Sequence, residues 1–206
     1  MKTRIFAILG IVGALSFSSC NLDQYPYSEV ASDEYVTEDN SVNDLVMGCY
    51  NGLHDVMYYE WAMTELRSDN ARMYNNNSSS NTTKLIEQLD QSVINTEHEW
   101  VESYWKACYA LITRTNNVLA SVQVVKNEAN KKMYEGEARF LRALEYFNLV
   151  RLWGPVFIVT SKTPSDVARN MQRSSVSDVY ALIEGDLETI VDQQLLPAKQ
   201  TDALLG

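Results

Sequence analysis

The sequence predicts an all-α protein, an α-helical layer or helical-repeat packing of antiparallel pairs joined by irregular loops. Three observations carry that prediction. Four segments place apolar residues at three- and four-residue steps, the period of one helix face, each over roughly twenty residues. Between them lie Gly-Pro, polar runs and mixed turn residues that punctuate helices. Only Val156-Phe157-Ile158-Val159-Thr160 is a short β-branched run, a strand or an extended connector, and nothing nearby offers it a partner strand. No strict internal repeat is visible.

The chain begins with Met1-Lys2-Thr3-Arg4, then the uncharged run Ile5 to Phe17, then Ser18-Ser19-Cys20. A basic start, an apolar stretch of this length and small residues before a cut describe a secretory signal. The run is too short to span a bilayer comfortably. A buried core helix is the competing reading, disfavoured by the extreme N-terminal position and the loop-like segment that follows. Cysteine at the cut resembles a bacterial lipoprotein signal, which makes Cys20 an acylated anchor and the mature chain tethered rather than spanning. The expected organisation is a signal peptide over 1–19 and one helical domain over 20–206.

Residues 21–35 hold Pro26 and three tyrosines without a period and read as an extended leader. The first helix is expected from about Thr37 to Tyr58, with Val42, Leu45, Val46, Cys49, Leu53, Val56 and Met57 on one face, Thr37 as cap and Glu38 and Asp39 near the positive dipole end. The second stripe runs from Val101 through Tyr104, Trp105, Cys108, Leu111, Ile112, Val118 and Leu119 to Val122. The third is expected from about Asn130 to Trp153, with Met133, Phe140, Leu141, Leu144, Phe147 and Val150 inward, stopped by Gly154-Pro155. The fourth carries Val176, Val179, Tyr180, Ile183, Leu187, Ile190 and Val191, capped by Ser175, with Pro197 beyond its end. Cys49 and Cys108 fall on apolar faces and read as buried small hydrophobes, with a disulfide as the alternative.

Ser68 to Thr83 breaks the helical pattern and is low in hydrophobes, a solvated loop. Just before and within it, Thr64 to Tyr74 gathers carboxylate, amide, guanidinium and phenol groups: Asp69, Asn70, Arg72 and Tyr74. Sugars are recognised by that mixture, since planar side chains cover apolar ring faces while Asp, Asn and Arg bond hydroxyls. The same residue types also cap helices and make turns.

Composition limits the function classes. Of 206 residues, 17 are Lys or Arg and 27 are Asp or Glu, a formal net charge of −10. Such a chain has no excess of cations to displace counterions from nucleic acid, which is excluded as a partner. Two histidines and three cysteines offer little to a metal site or a disulfide scaffold. The acidic pairs Glu65 with Asp69, and Glu97 with Glu99 around His98, allow a two-carboxylate enzyme on paper. No zincin, P-loop, dinucleotide or nucleophile-elbow motif accompanies them. No enzyme activity, cofactor or metal is expected.

Gly136-Glu137-Ala138-Arg139-Phe140-Leu141-Arg142-Ala143 and Leu144-Glu145-Tyr146-Phe147-Asn148-Leu149-Val150-Arg151-Leu152-Trp153-Gly154 resemble the signature helix of the SusD/RagB family. In order along the chain, Cys20-Asn21-Leu22-Asp23, Gly48 to Leu53, Glu65 to Asn70, Trp105 to Ile112 with Arg114, Asn116 and Asn117, and Arg173 to Leu187 ending at Leu196-Pro197 resemble further family segments. The resemblance implies tetratricopeptide-like helix pairs and a lipid-anchored, cell-surface nutrient-binding subunit of the Bacteroidetes outer membrane. Such a subunit is non-catalytic and delivers glycan to a SusC-like TonB-dependent transporter. It also implies that the chain is the N-terminal part of a longer protein. On the signature helix it assigns core roles to Phe140, Leu141, Leu144 and Phe147, with Arg139 or Arg142 placed to pair with Glu137 or Glu145. By position Asp69 and Asn70 match the family's glycan-contacting segment, and Arg72 and Tyr74 lie in its neighbourhood. The alternative is a lipid-anchored helical scaffold that binds only protein partners.

Overall fold

A computed structural model describes residues 36, 39–68, 70–74 and 80–197. The signal segment, Cys20, Thr37 and Asp69 lie outside the described residues. Among the described residues six α-helices follow one another: α1 (Asp39–Thr64), α2 (Asn81–Asp90), α3 (Glu99–Ser121), α4 (Glu128–Trp153), α5 (Ser165–Arg169) and α6 (Val176–Asp192). A 3-10 turn over Val122–Val124 ends α3. There is no strand among the described residues; Val156 and Ser174 form a single isolated bridge. The all-α prediction stands.

The long helices pack in sequence, α1 on α3, α3 on α4, α4 on α6, and α1 also touches α4. Tyr104, Leu111, Ile112 and Val118 of α3 and Leu141, Tyr146 and Leu149 of α4 are fully buried between them, together with Val42, Val46 and Val56 of α1. Chemistry at the helix starts follows the residue types. Ser175 and Asp178 form a capping box on α6, and Asn127 accepts from the N–H groups of Ala129 and Asn130 on α4. Asp39, expected to favour the dipole of its own helix, instead accepts from the N–H groups of Lys126 and Asn127 at 2.9 and 3.2 Å. Those bonds hold its carboxyl below the ordinary range.

Close approach of α1 to α3 depends on Gly52. A Cβ there would meet Arg114 Nη1 at 2.6 Å, while that same guanidinium donates to the Gly48 carbonyl at 2.9 Å. Cys49 and Cys108 are both free and buried, as small hydrophobes.

The β-branched run is a connector whose missing partner strand is replaced by side chains. Tyr109 Oη donates to the Phe157 carbonyl and accepts from the Phe157 N–H, both at 2.9 Å. Tyr146 Oη does the same for Val159, at 3.0 and 2.7 Å. Asn116 Nδ2 adds a bond to the Val159 carbonyl at 2.8 Å. Residues two apart turn their backbone groups to the same side, so two tyrosines from α3 and α4 serve one edge of the extended segment.

Several expectations are corrected. Phe140 and Phe147 are not inward; they are 49% and 38% exposed. The arc of α4 that wins the core holds Ala138, Leu141, Glu145 and Leu149, and it includes a carboxylate whose charge, read from the sequence, steers it outward. Met57, Val176, Tyr180, Leu187 and Val191 are likewise exposed. Helix α1 runs past Tyr58 to Thr64, α2 begins inside the stretch read as loop, and α5 was not foreseen. The two arginines of the signature helix choose a different acid. Arg142 grips Asp186 of α6 with Nε and Nη2 at 2.8 and 2.7 Å and reaches Asn116 of α3 with Nη1. Arg139 bridges Glu135 and the same Asp186.

Candidate functional site

Thr64 ends α1, the chain then turns through Glu65–Ser68, and residues 70–74 are neither helix nor strand. Side chains alternate along this run. Ala71 and Met73 pack against the core, while Asn70, Arg72 and Tyr74 are exposed, Tyr74 to 84%. A two-residue period puts alternate side chains on one side, so three of the four predicted site residues share the solvent side. The run is tethered at both ends: Asn70 N–H donates to Ser68 Oγ at 3.3 Å, and Met73 N–H donates to Asp90 Oδ2 at the end of α2, also at 3.3 Å.

Sequence reasoning missed the aromatic group at the same end of α1. The Trp100 ring, from the first turn of α3, meets Tyr58, Tyr59 and Trp61 with centroids 5.7, 5.2 and 6.2 Å away. Trp100 itself is buried, but Tyr58 is 58% exposed and Trp61 43%. Tyr59 and Trp61 meet Trp100 edge-to-face and Tyr58 meets it at a tilt, contacts that fix ring planes. The result is a helix-borne pair of exposed rings braced from behind, at the end of α1 that leads into the 70–74 run. The density of rings in Tyr58-Tyr59-Glu60-Trp61, more than one core face can hold, is the sequence signal for it.

The acid–base pattern around His98 is used for structure. His98 is buried at the start of α3, with Nε2 3.0 Å from the Leu85 carbonyl of α2. Its neighbours Glu97 and Glu99 are exposed, and Glu97 N–H closes a turn onto Asn95 Oδ1. One carboxyl does stand in an unusual place. Glu145 is fully buried, and neither of its oxygens has a hydrogen-bonding oxygen or nitrogen partner; the same is true of Tyr104 Oη. Burial pushes the Glu145 carboxyl up to about 7, with the Cys108 thiol pulling the other way and Glu60 of α1 adding to the rise. Closed off from solvent, Glu145 cannot reach a substrate. Among the described residues no group of three His, Cys, Asp or Glu side chains is placed to hold a metal ion, and no helix is long and apolar enough to cross a membrane.

Residues 21–204 match the family described as SusD-like, starch-binding and associating with the outer membrane. The chain belongs to the SusD-like family. A SusD-like protein of Bacteroides ovatus is 27% identical over 93% of this chain and 35% of its own length. SusD-like protein P38 of Formosa agariphila is 28% identical over 89% of this chain and 35% of its own length. Across four such relatives the chain spans between 33% and 41% of the relative's length. The fold recurs in a solved SusD homologue of Bacteroides thetaiotaomicron, with a TM-score of 0.67 at 24% identity over 85% of this chain and 34% of that one. It recurs again in surface glycan-binding protein A of Bacteroides uniformis, with a TM-score of 0.64 at 24% identity over 80% of this chain and 36% of that one. These SusD-like folds are helical, as the four apolar stripes require.

Proposed function

We propose that the chain is part of a lipid-anchored, non-catalytic glycan-binding subunit that serves a SusC-like TonB-dependent transporter at the outer membrane. The observation that carries the glycan reading is the pair of exposed rings, Tyr58 and Trp61, braced by Trp100 where α1 leads into the outward row of Asn70, Arg72 and Tyr74. Flat apolar faces cover the C–H surface of a pyranose, and amide and guanidinium groups bond its hydroxyls. Membership of the SusD-like family supports the same ligand class, and Asp69, which lies outside the described residues, adjoins Asn70 in the sequence. In this reading the ligand is held and released unchanged.

The experiment is affinity electrophoresis of the purified chain through gels containing soluble starch or other neutral polysaccharides. Retardation by at least one of them is expected. Losing one stacked ring in Trp61→Ala should weaken it about three- to tenfold, from about 0.5–1.5 kcal/mol per aromatic contact. Migration unaffected by every polysaccharide would leave the protein-only scaffold as the better reading, and release of reducing sugar would overturn the non-catalytic one.

A further inference from the structure

Behind the exposed rings lies a polar cluster that the proposed site does not use. Glu145 of α4 and Tyr104 of α3 are fully buried, and neither the carboxyl oxygens nor the Tyr104 hydroxyl has a hydrogen-bonding oxygen or nitrogen partner. Cys108, one turn beyond Tyr104 on α3, is buried against the same carboxyl. Glu60 of α1 is half-buried, and its charge is felt by Glu145, Tyr104 and Cys108 alike, so three helices converge here. Arg151 of α4 acts on Tyr104, but its guanidinium is bonded to Asn148 Oδ1 at 2.6 Å and lies over the Phe147 ring. Among the described residues neither Glu60 nor Glu145 stands in an ion pair. A buried acid without a partner is stable only while it is neutral.

The cluster is joined to the rings through two helices. On α1, Glu60 stands between Tyr59 and Trp61, so the turn that carries it also carries the exposed Tyr58 and Trp61. On α3, Trp100 and Tyr104 are one turn apart on the buried side. Trp100 braces Tyr58, Tyr59 and Trp61, and Tyr104 stacks on the Trp153 ring of α4 at 5.8 Å. The last turn of α1 holds no basic residue, so the negative end of its dipole and Glu60 both oppose a charge on Glu145. Helix α1 ends at Thr64, one turn past Glu60. The repelled turn is therefore a helix end, where helices open most readily.

We propose that Glu145 is a proton-operated latch on the ring platform. While its carboxyl is neutral, the end of α1 stays closed on α3 and α4, with Tyr58 and Trp61 braced by Trp100. Once it ionises, repulsion from Glu60 and hydration of the carboxylate open the end of α1, and the rings leave their brace. The latch does not depend on the ligand; its consequence, weaker binding at higher pH, rests on the glycan reading above. Burial pushes the Glu145 carboxyl up to about 7 in the closed form, against an ordinary 4.5 once hydrated. A carboxyl raised in the closed form favours that form at low pH and releases it as pH climbs toward the raised value. From about pH 5.5 to about pH 8 the open form gains up to about thirtyfold over the closed one.

Acrylamide quenching of tryptophan fluorescence in the purified chain reads the opening, because Trp61 and Trp100 part when the latch lets go. Quenching should rise between about pH 5.5 and about pH 8 while far-UV circular dichroism stays level. Glu145→Gln should abolish the rise. Glu60→Gln, which leaves Glu145 able to ionise but removes its repeller, should reduce it. An equal rise in Glu145→Gln, no rise in the unsubstituted chain, or a parallel loss of helicity would each overturn the latch. Binding is read separately, as retardation by soluble starch at the two pH values relative to gels without polysaccharide. It should weaken at the higher pH in the unsubstituted chain and stay level in Glu145→Gln. Retardation that ignores pH while quenching rises would refute the tie between latch and binding. Absence of retardation at both pH values would count against starch as the ligand, and the quenching result would still decide the latch.

Discussion

Glu145 shows what a single residue can hide. It lies on the face of α4 that also carries Ala138, Leu141 and Leu149, so hydrophobic period and charge gave opposite instructions there, and packing decided. Its neighbours explain the outcome: Tyr104 and Cys108 of α3 surround it, Glu60 of α1 repels the charged form, and no cation pairs with it. The carboxyl is therefore kept protonated in the folded chain at pH values where the unfolded chain has lost the proton. A folded value of about 7 against 4.5 means stability is highest below pH 4.5 as far as this group is concerned and falls as pH rises toward 7. The loss is on the order of 3 kcal/mol, since one pKa step is about 1.4 kcal/mol. Glu145→Gln cannot ionise, so its denaturation midpoint should fall less than that of the unsubstituted chain between about pH 5 and about pH 8, a range that brackets the folded value. Parallel slopes in urea titrations of the two proteins would show that Glu145 is not buried as a neutral acid. Beside it, Leu141 was legible from the sequence as core and is 2% exposed. Leu141→Ala should cost about 2–5 kcal/mol, read as a lowered urea midpoint. Phe140 and Phe147 were not legible as surface, because periodicity groups residues on a face without saying which faces find a partner.

At the scale of elements, the four long helices were legible because each carries a stripe, and their stops were legible where Gly154, Pro155 and Ser175 supply turn and cap chemistry. Helix α2 was not, since Asn81-Thr82-Thr83 opens it with polar residues that also make loops; Ser80 turns that segment into a helix start by accepting from the Thr83 N–H. The connector after α4 was ambiguous for a related reason. A β-branched run states that the backbone is extended, while what completes its hydrogen bonds lies on Tyr109 and Tyr146, far away in sequence. Tyr146 is fully buried, and its hydroxyl serves both polar groups of Val159. Tyr146→Phe keeps the ring and deletes that hydroxyl, leaving the Val159 N–H without its partner. The expected cost is about 1–3 kcal/mol, the price of an unmet buried polar group. Thermal melts of Tyr146→Phe and Tyr109→Phe should both fall, and hydrogen exchange at the Val159 and Phe157 amides should accelerate in the matching variant. Unchanged exchange at both amides would mean that the tyrosines do not hold the connector.

For the molecule as a whole, the ordered set of family segments was legible over most of the chain, and the match over residues 21–204 agrees with it. The proposed binding surface was only half legible. Asn70, Arg72 and Tyr74 stood out by type, whereas the Tyr58, Trp61 and Trp100 group required knowing that the start of α3 packs beside the end of α1. The proposed attachment to the membrane rests on a different kind of argument. The formal net charge of −10 gives no electrostatic pull toward an anionic surface, and no helix among the described residues is suited to cross a bilayer. The lipid anchor proposed above needs more than one acyl chain, since a single chain binds a membrane only marginally. We propose Cys20, which follows an uncharged run and two serines in the sequence, as the residue that carries them. In cells fed labelled palmitate, the chain with Cys20 should take up label and sediment with the outer-membrane fraction. Cys20→Ala should take up none and should leave that fraction, while glycan retardation of the purified protein stays unchanged because the proposed site lies on α1 and the run that follows it. Equal labelling of the two forms would show that Cys20 is not the anchor, and loss of glycan binding in Cys20→Ala would tie anchor and site together in a way this fold gives no reason to expect.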